Sequence, residues 1–154
     1  MNLIAPVQHY HCAGAVSFFW GVKCVLCSKS ILLPNCKYLC DKIGKDNQIL
    51  LSAKVVDELD KLKITLGEES KQNVEKALRN INRALDASNV SFEVANTNLL
   101  PIDFNPRSPD NLILSVALKY KDDNPVLLTS DNGLQIKCKG LGISTISLKE
   151  FIKR

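Results

Sequence analysis

The chain has 154 residues, a formal net charge of +4, 45% hydrophobic residues and 23% charged residues. This length suits one domain with a hydrophobic core, since domains commonly span about 100–200 residues. The composition is ordinary for a soluble globular protein. The mild positive charge permits an anionic partner such as RNA, but it excludes the strongly basic class in which charge alone would indicate one.

Residues 1–28 differ from the rest of the chain because they contain no acidic residue and one Lys. Their apolar stretch at 13–22 lacks the basic start of a signal peptide. Lys23 ends that stretch well short of the ~20 apolar residues that a membrane span needs. We expect a divergent N-terminal extension at 1–28 that packs on the domain or is poorly ordered, and a domain at 29–154. A weak interfacial anchor is the alternative for the extension.

From residue 30 onward, short apolar runs alternate with amphipathic stretches, a pattern that predicts alternating strands and helices. Such an alternation implies an α/β fold in which a mostly parallel sheet is flanked by helices. The predicted strands are residues 30–33, 48–52, 92–95, 126–129 and 143–146. The predicted helices are residues 36–43, 54–63, 69–87, a helix after Ser108, residues 132–138 and a terminal helix from Leu148.

Two acidic residues follow predicted element boundaries late in the chain. Asp110 lies in the first turn of a helix whose start is marked by Ser108 as N-cap and Pro109 at the first helical position. Asp131 follows the apolar run 126–129. Because sites in open α/β sheets gather at the carboxyl ends of strands, both acids are candidate ligands for a divalent cation. The structural alternatives are stabilisation of a helix start by Asp110 and closure of a turn by Asp131.

Glu58 is the third candidate acid. Val55, Leu59 and Leu62 predict the buried face of the helix at 54–63. At ~100° per residue, Glu58 falls about 60° from Val55 and therefore borders the core. The alternative is that Glu58 belongs to a solvated helix face together with its acidic neighbours.

Taken together, several segments resemble the PIN domain, a family of magnesium- or manganese-dependent ribonucleases. Residues 108–118, 126–134 and 137–143 are similar to the second half of that family. Residues 49–63 are similar to its strand and helix with a Glu-Leu-Asp motif, which begins here at Glu58. Residues 31–39 resemble its opening strand and turn, with Asn35 at the position of the family's first-strand Asp.

The resemblance implies a PIN-like three-layer α/β fold and a metal-dependent endonuclease that cuts single-stranded RNA. It assigns Glu58, Asp110 and Asp131 as catalytic residues and ligands of Mg²⁺ or Mn²⁺, with Asn35 as a neutral fourth ligand. Asn keeps a carbonyl oxygen that can bind a metal but removes one negative charge from the site. The alternative is a catalytically silent PIN-like module that binds RNA or a protein partner. PIN-like domains often pair, so a homodimer stays open, and no membrane association is expected.

Six cysteines invite a disulfide interpretation, but the α/β pattern supplies its own core. Cys36, Cys40 and Cys138 fall inside predicted elements, where a free Cys behaves as a small hydrophobe. We therefore expect reduced thiols and a cytoplasmic protein. A zinc site is the alternative, although the spacing lacks a convincing second half. Its ligands would come from His9, His11, Cys12, Cys24 and Cys27.

Scattered basic residues are the candidate contacts for RNA phosphates, although exposed Lys residues usually serve solubility. These residues are Lys37, Arg107, Lys119, Lys121, Lys137 and Lys139.

Overall fold

A parallel sheet forms the centre of the structure, a computed structural model that describes residues 24–27, 38–39 and 41–153. Within these residues the sheet has five strands in the order β3-β2-β1-β4-β5, and every neighbouring pair is parallel. For β1 the backbone alone is described. The strands are β1 (Cys24–Cys27), β2 (Gln48–Ser52), β3 (Val90–Glu93), β4 (Val126–Leu128) and β5 (Ser144–Ile146).

Helices connect these parallel strands, and the predicted α/β fold class is confirmed. Short 3₁₀ turns at Thr97–Leu99 and Lys121–Asp123 flank the fourth helix. None of the helices in the described residues is long and apolar enough to cross a membrane. The helices are α1 (residues 38–39 and 41–43), α2 (Ala53–Thr65), α3 (Glu68–Ala84), α4 (Pro109–Lys119), α5 (Asn132–Gly140) and α6 (Leu148–Lys153).

The sheet contains a strand that was not predicted, and the strand predicted at residues 30–33 stays a prediction. The central strand is Cys24–Cys27, which lies inside the segment assigned to the N-terminal extension, whereas residues 30–33 lie outside the described residues. Both segments are short apolar runs, and neither carries an alternation of apolar and polar residues that would mark it as a strand. The sheet therefore takes in residues upstream of the domain boundary expected at residue 29.

The remaining elements lie close to their predicted positions. The predicted strand at 48–52 is confirmed without change, and the edge strand β3 begins two residues earlier than predicted. Helix α2 begins immediately after β2, because Ser52 is both the last strand residue and the N-cap. Its hydroxyl accepts a hydrogen bond from the backbone N–H of Lys54 at 3.3 Å. The junction between sheet and helix therefore has no loop.

The core consists of the middle strands and the inner faces of the helices. Leu50 and Leu127 are fully buried, as expected for parallel strands covered on both sides. Val55 and Leu59 of α2 are fully buried as well, as their helical spacing predicts. Cys138 packs in the same cluster. Burial raises the pKa of its thiol to about 12, so the residue behaves as a small hydrophobe.

Because all strands are parallel, their carboxyl ends share one edge of the sheet. Helix α2 starts at this edge directly from β2, and α5 starts there three residues beyond Thr129. The crossover helix α4 connects β3 to β4 and packs against both α2 and α5. The segments that carry the three candidate acids are therefore neighbours in the fold.

Candidate functional site

Asp131 is held in place by the turn that joins β4 to α5. Its backbone N–H donates to the Oγ1 of the buried Thr129 at 3.2 Å. Its carboxylate Oδ1 accepts a hydrogen bond from the N–H of Leu134 at 2.9 Å and so caps helix α5. Gly133 leaves room for this cap, since a Cβ there would lie 3.2 Å from that oxygen. The same carboxyl group presents a second oxygen, Oδ2, with no hydrogen bond in the described residues.

Asp110 is the second residue of α4 and is half-buried. Ser108 is the N-cap and Pro109 opens the helix, as predicted, although the Ser108 side chain makes no capping hydrogen bond. Within the part of the chain that the structure describes, the Asp110 carboxylate has no hydrogen bond or ion pair with another residue. A carboxylate in a first helical turn is favoured by the helix dipole and remains available to a ligand.

Next to Asp110, the buried side chain of Asn111 ties three segments together. Its Nδ2 donates to the carbonyl of Asn105 at 2.9 Å. Its Oδ1 accepts a hydrogen bond from the Nζ of Lys137 at 3.0 Å. The side-chain amide therefore fixes the loop before α4 and attaches one ammonium group of α5 close to the start of α4. Asn111 was not among the predicted site residues, because nothing in its spacing indicates that this amide is buried.

Glu58 borders the core, as its helical position predicts, and its side chain is 17% exposed. Its Oε1 lies 3.0 Å from the Nζ of Lys54, and Lys61 follows at 3.9 Å. The Lys54 ammonium also lies 2.9 Å from Oδ2 of Asp57. Hydrogen bonds to Asp57 and Glu58 raise the pKa of Lys54 above its ordinary value. One carboxylate oxygen of Glu58 is therefore already bound to a cation of the same helix.

The sequence contained a signal for Lys54 that the sequence analysis did not use. Lys54 precedes Asp57 by three residues and Glu58 by four, the two spacings at which helical side chains meet. These spacings predict Lys54 as the counterion of both acids.

Asn35 lies outside the described residues, so its place in the site stays a prediction. The central strand β1 ends at Cys27, which is paired with Leu128 of β4. No acidic residue occurs in the sequence before Asp41. Residues 24–40 therefore contribute no carboxylate to the site. The proposed zinc ligands also lie outside the described residues, except for the backbone of Cys24 and Cys27 in β1.

These observations allow a test of whether the residues present fit a divalent metal. Carboxylates are the ligands that Mg²⁺ and Mn²⁺ prefer, so the donor chemistry of Glu58, Asp110 and Asp131 is suitable. The positions of these acids are not suitable, because no three His, Cys, Asp or Glu side chains of the described residues are close enough together to hold a metal ion. The structure thus brings the helices together without completing a metal site from these three acids.

Comparison with known proteins identifies one family and a shared fold. A family model described as PIN domain matches residues 26–149, beginning inside β1. The chain is similar to a domain of a functionally unknown protein from Methanocaldococcus jannaschii DSM 2661, with 24% sequence identity and a TM-score of 0.59. That match covers 82% of this chain and 91% of the other, and it shows a common fold.

A second solved structure, VapBC-1 from nontypeable Haemophilus influenzae, is 17% identical with a TM-score of 0.43. The match covers 80% of this chain and 97% of that one. No curated protein matches the chain.

Proposed function

This chain belongs to the PIN domain family, a nuclease-type module, and from that premise we propose that it is a magnesium- or manganese-dependent endoribonuclease for single-stranded RNA. The proposed metal ligands and catalytic residues are Glu58, Asp110, Asp131 and Asn35. The observation that carries the proposal is the carboxylate of Asp110, which stands in the first turn of α4 without a partner in the described residues. The free thiol of Cys138 is compatible with a cytoplasmic location.

Two features of the site support this proposal. Asp110 and Asp131 stand at the starts of two helices that pack against each other. The cap to Leu134 fixes the Asp131 carboxylate while it occupies only one of its two oxygens. A divalent cation, when bound, lowers the pKa of its water and stabilises charge on a phosphodiester.

The positive charge needed for an RNA backbone is available close by. The Nζ of Lys137 donates to the Oδ1 of Asn111 at 3.0 Å, and Asn111 directly follows Asp110 in the sequence. A fixed ammonium group contacts phosphate without reading the base, because phosphate contacts position a nucleic acid and carry no sequence information. We therefore assign Lys137 to backbone binding of the RNA substrate.

The direct test is a cleavage assay with a labelled single-stranded RNA titrated with Mg²⁺ or Mn²⁺. We expect metal-dependent cleavage that is lost in Asp110→Asn and in Asp131→Asn. Asp60→Asn is the matched control, because Asp60 is an exposed acid of α2 that pairs with Lys63 and lies outside the proposed set. Cleavage that survives in both site variants contradicts the assignment of these acids.

A second candidate function is a catalytically silent PIN-like module that binds RNA or a protein partner, a second copy of the chain included. The observation that favours it is the engagement of Glu58 by Lys54, together with the absence of acidic residues before Asp41. The variant Asn35→Asp separates the two candidates. Nuclease activity that appears only in this variant supports the silent module, whereas cleavage by the native chain excludes it.

A further inference from the structure

We propose that the ammonium of Lys54 is a built-in counterion of Glu58 that competes with a divalent metal for this carboxylate. The inference deepens the proposed function and rests on it, since it concerns the same set of acids. In this view Lys54 lowers the affinity of the site for the metal.

The geometry places Lys54 more firmly than an ordinary surface lysine. Its backbone N–H donates to the hydroxyl of the N-cap Ser52, which is fully buried at the end of β2. Its side chain is 16% exposed, compared with 61% for Lys61 on the same helix. Its Nζ lies 2.9 Å from Asp57 and 3.0 Å from Glu58. The ammonium is therefore held between two carboxylates, and most of the Lys54 side chain is covered.

The charge of Lys54 is unusual for its position in the helix. Lys54 is the second residue of α2, and a positive charge in a first turn opposes the helix dipole. Helix α2 carries no acidic residue in that turn. The two carboxylates of the next turn supply the attraction that keeps the ammonium there. The attraction of the two carboxylates for the Lys54 ammonium thus outweighs its unfavourable interaction with the helix dipole.

An ammonium and a divalent cation compete for the same oxygen of Glu58. Mg²⁺ and Mn²⁺ bind through carboxylate lone pairs, and Oε1 already accepts from Lys54. A metal ion that approached this carboxylate would also meet the positive charge of Lys54 at close range. Removal of the ammonium should take away this competitor and make the site more negative by one charge.

Lys61 provides a matched control. It also contacts Asp57, at 3.1 Å, but its Nζ stays 3.9 Å from Glu58 and its side chain is mostly exposed. The variants Lys54→Met and Lys61→Met change the net charge of the protein by the same amount. A difference between them therefore reports the direct contact with Glu58 and not the general field of the protein.

The experiment is a calorimetric titration of MnCl₂ at constant ionic strength into the full chain and its variants. We expect Lys54→Met to bind Mn²⁺ about fivefold more tightly than the native chain, and Lys61→Met to stay within about twofold of it. The double variant Lys54→Met/Glu58→Gln should lose the gain. Thermal unfolding without metal checks that each variant is folded, and Lys54→Gln serves as a second substitution.

Equal Mn²⁺ affinities of Lys54→Met and Lys61→Met would overturn the inference, as would a gain that survives Glu58→Gln. The absence of Mn²⁺ binding in Lys54→Met would overturn it too, because loss of the competing ammonium should improve binding. The proposed function fails in a different way. If Asp110→Asn and Asp131→Asn bind Mn²⁺ as the native chain does, the metal lies elsewhere, whatever the contrast between the lysine variants.

Discussion

The Nζ of Lys137 lies 3.0 Å from the Oδ1 of Asn111, and this hydrogen bond joins helix α5 to the first turn of α4. The other end of the same amide donates to the carbonyl of Asn105 in the preceding loop. Asn111 is 4% exposed, so water cannot easily replace either partner. One buried side chain thus fixes the position of the helix start that carries Asp110.

Truncation of that amide should destabilise the protein. We expect Asn111→Ala to lower the free energy of unfolding by about 2 kcal/mol, because a buried side chain loses its hydrogen bonds to the Asn105 carbonyl and to the Lys137 ammonium. Lys137→Met should cost less than about 1 kcal/mol, since the lysine is only half-buried. Urea unfolding followed by circular dichroism measures both. Similar losses in the two variants would contradict the role assigned to the amide.

Metal binding should be visible as a change in thermal stability. A cation that binds only the folded state stabilises it by mass action, so millimolar Mn²⁺ or Mg²⁺ should raise the melting temperature. Asp131→Asn should remove most of this shift. Asn can still cap α5 by accepting from Leu134, so the metal-free variant should be as stable as the native chain. A shift that is unchanged in this variant would show that the cation binds elsewhere.

Asp131→Ala is the companion variant to Asp131→Asn. It removes the cap as well as the charge and should cost about 1 kcal/mol without metal. Differential scanning fluorimetry with and without the metal separates the two effects. Equal metal-free stabilities of the Ala and Asn variants would mean that the hydrogen bond to Leu134 contributes little.

Glu93 should make stability depend on pH. Burial disfavours its charged form, but hydrogen bonds from Tyr120 and Lys119 outweigh this and hold the pKa of Glu93 below its ordinary value of 4.5. Because the folded pKa is lowered, the stabilisation is present above about pH 4.5 and is lost as the pH falls through the folded value. We therefore expect Glu93→Gln to cost about 1 kcal/mol at neutral pH.

That difference should shrink toward zero in acid. Urea unfolding of the native chain and Glu93→Gln between neutral pH and about pH 3 tests the prediction. Glu75→Gln is the control, because Glu75 is exposed and its ion pair with Arg79 is long, at 3.8 Å. A cost of Glu93→Gln that is the same at every pH would mean that the carboxylate charge is not the source of the stabilisation.

Cys138 should be chemically inert in the folded protein. Its thiol is fully buried, and burial raises its pKa to about 12, so little thiolate forms at neutral pH. We expect iodoacetamide to modify Cys138 at least about 100-fold faster in urea than in native buffer. Peptide mass spectrometry identifies the modified residue among the six cysteines of the chain. Rapid native labelling of Cys138 would contradict the burial.

The sequence predicted the fold class and most elements because their patterns are local. The run at 48–52 is apolar and ends in Ser52, a helix N-cap, so both ends of β2 are marked. Strand β1 was not predicted because it has no such marker, and its partners come from distant segments of the chain. The shift of β3 by two residues has the same cause, since its pairing of Glu93 with Ser52 sets where the strand ends.

The candidate site was predictable in its residues and not in its contacts. The boundaries of the predicted elements place Asp131 after a strand and Asp110 at a helix start. The ion pair of Glu58 with Lys54 depends on which of several charged neighbours on α2 each side chain selects. That choice is made by burial and side-chain packing, which spacing alone does not determine.

The pairing of Val25 with Val126 has a consequence for folding during synthesis. When β2, β3 and the first helices have left the ribosome, one backbone edge of the central strand still lacks its neighbour. The loop that must close to supply β4 contains most of the chain, and long loops make such contacts slow to form. An unpaired edge of this kind can capture another chain. A nascent chain of this protein is therefore most prone to aggregation in the interval before β4 emerges.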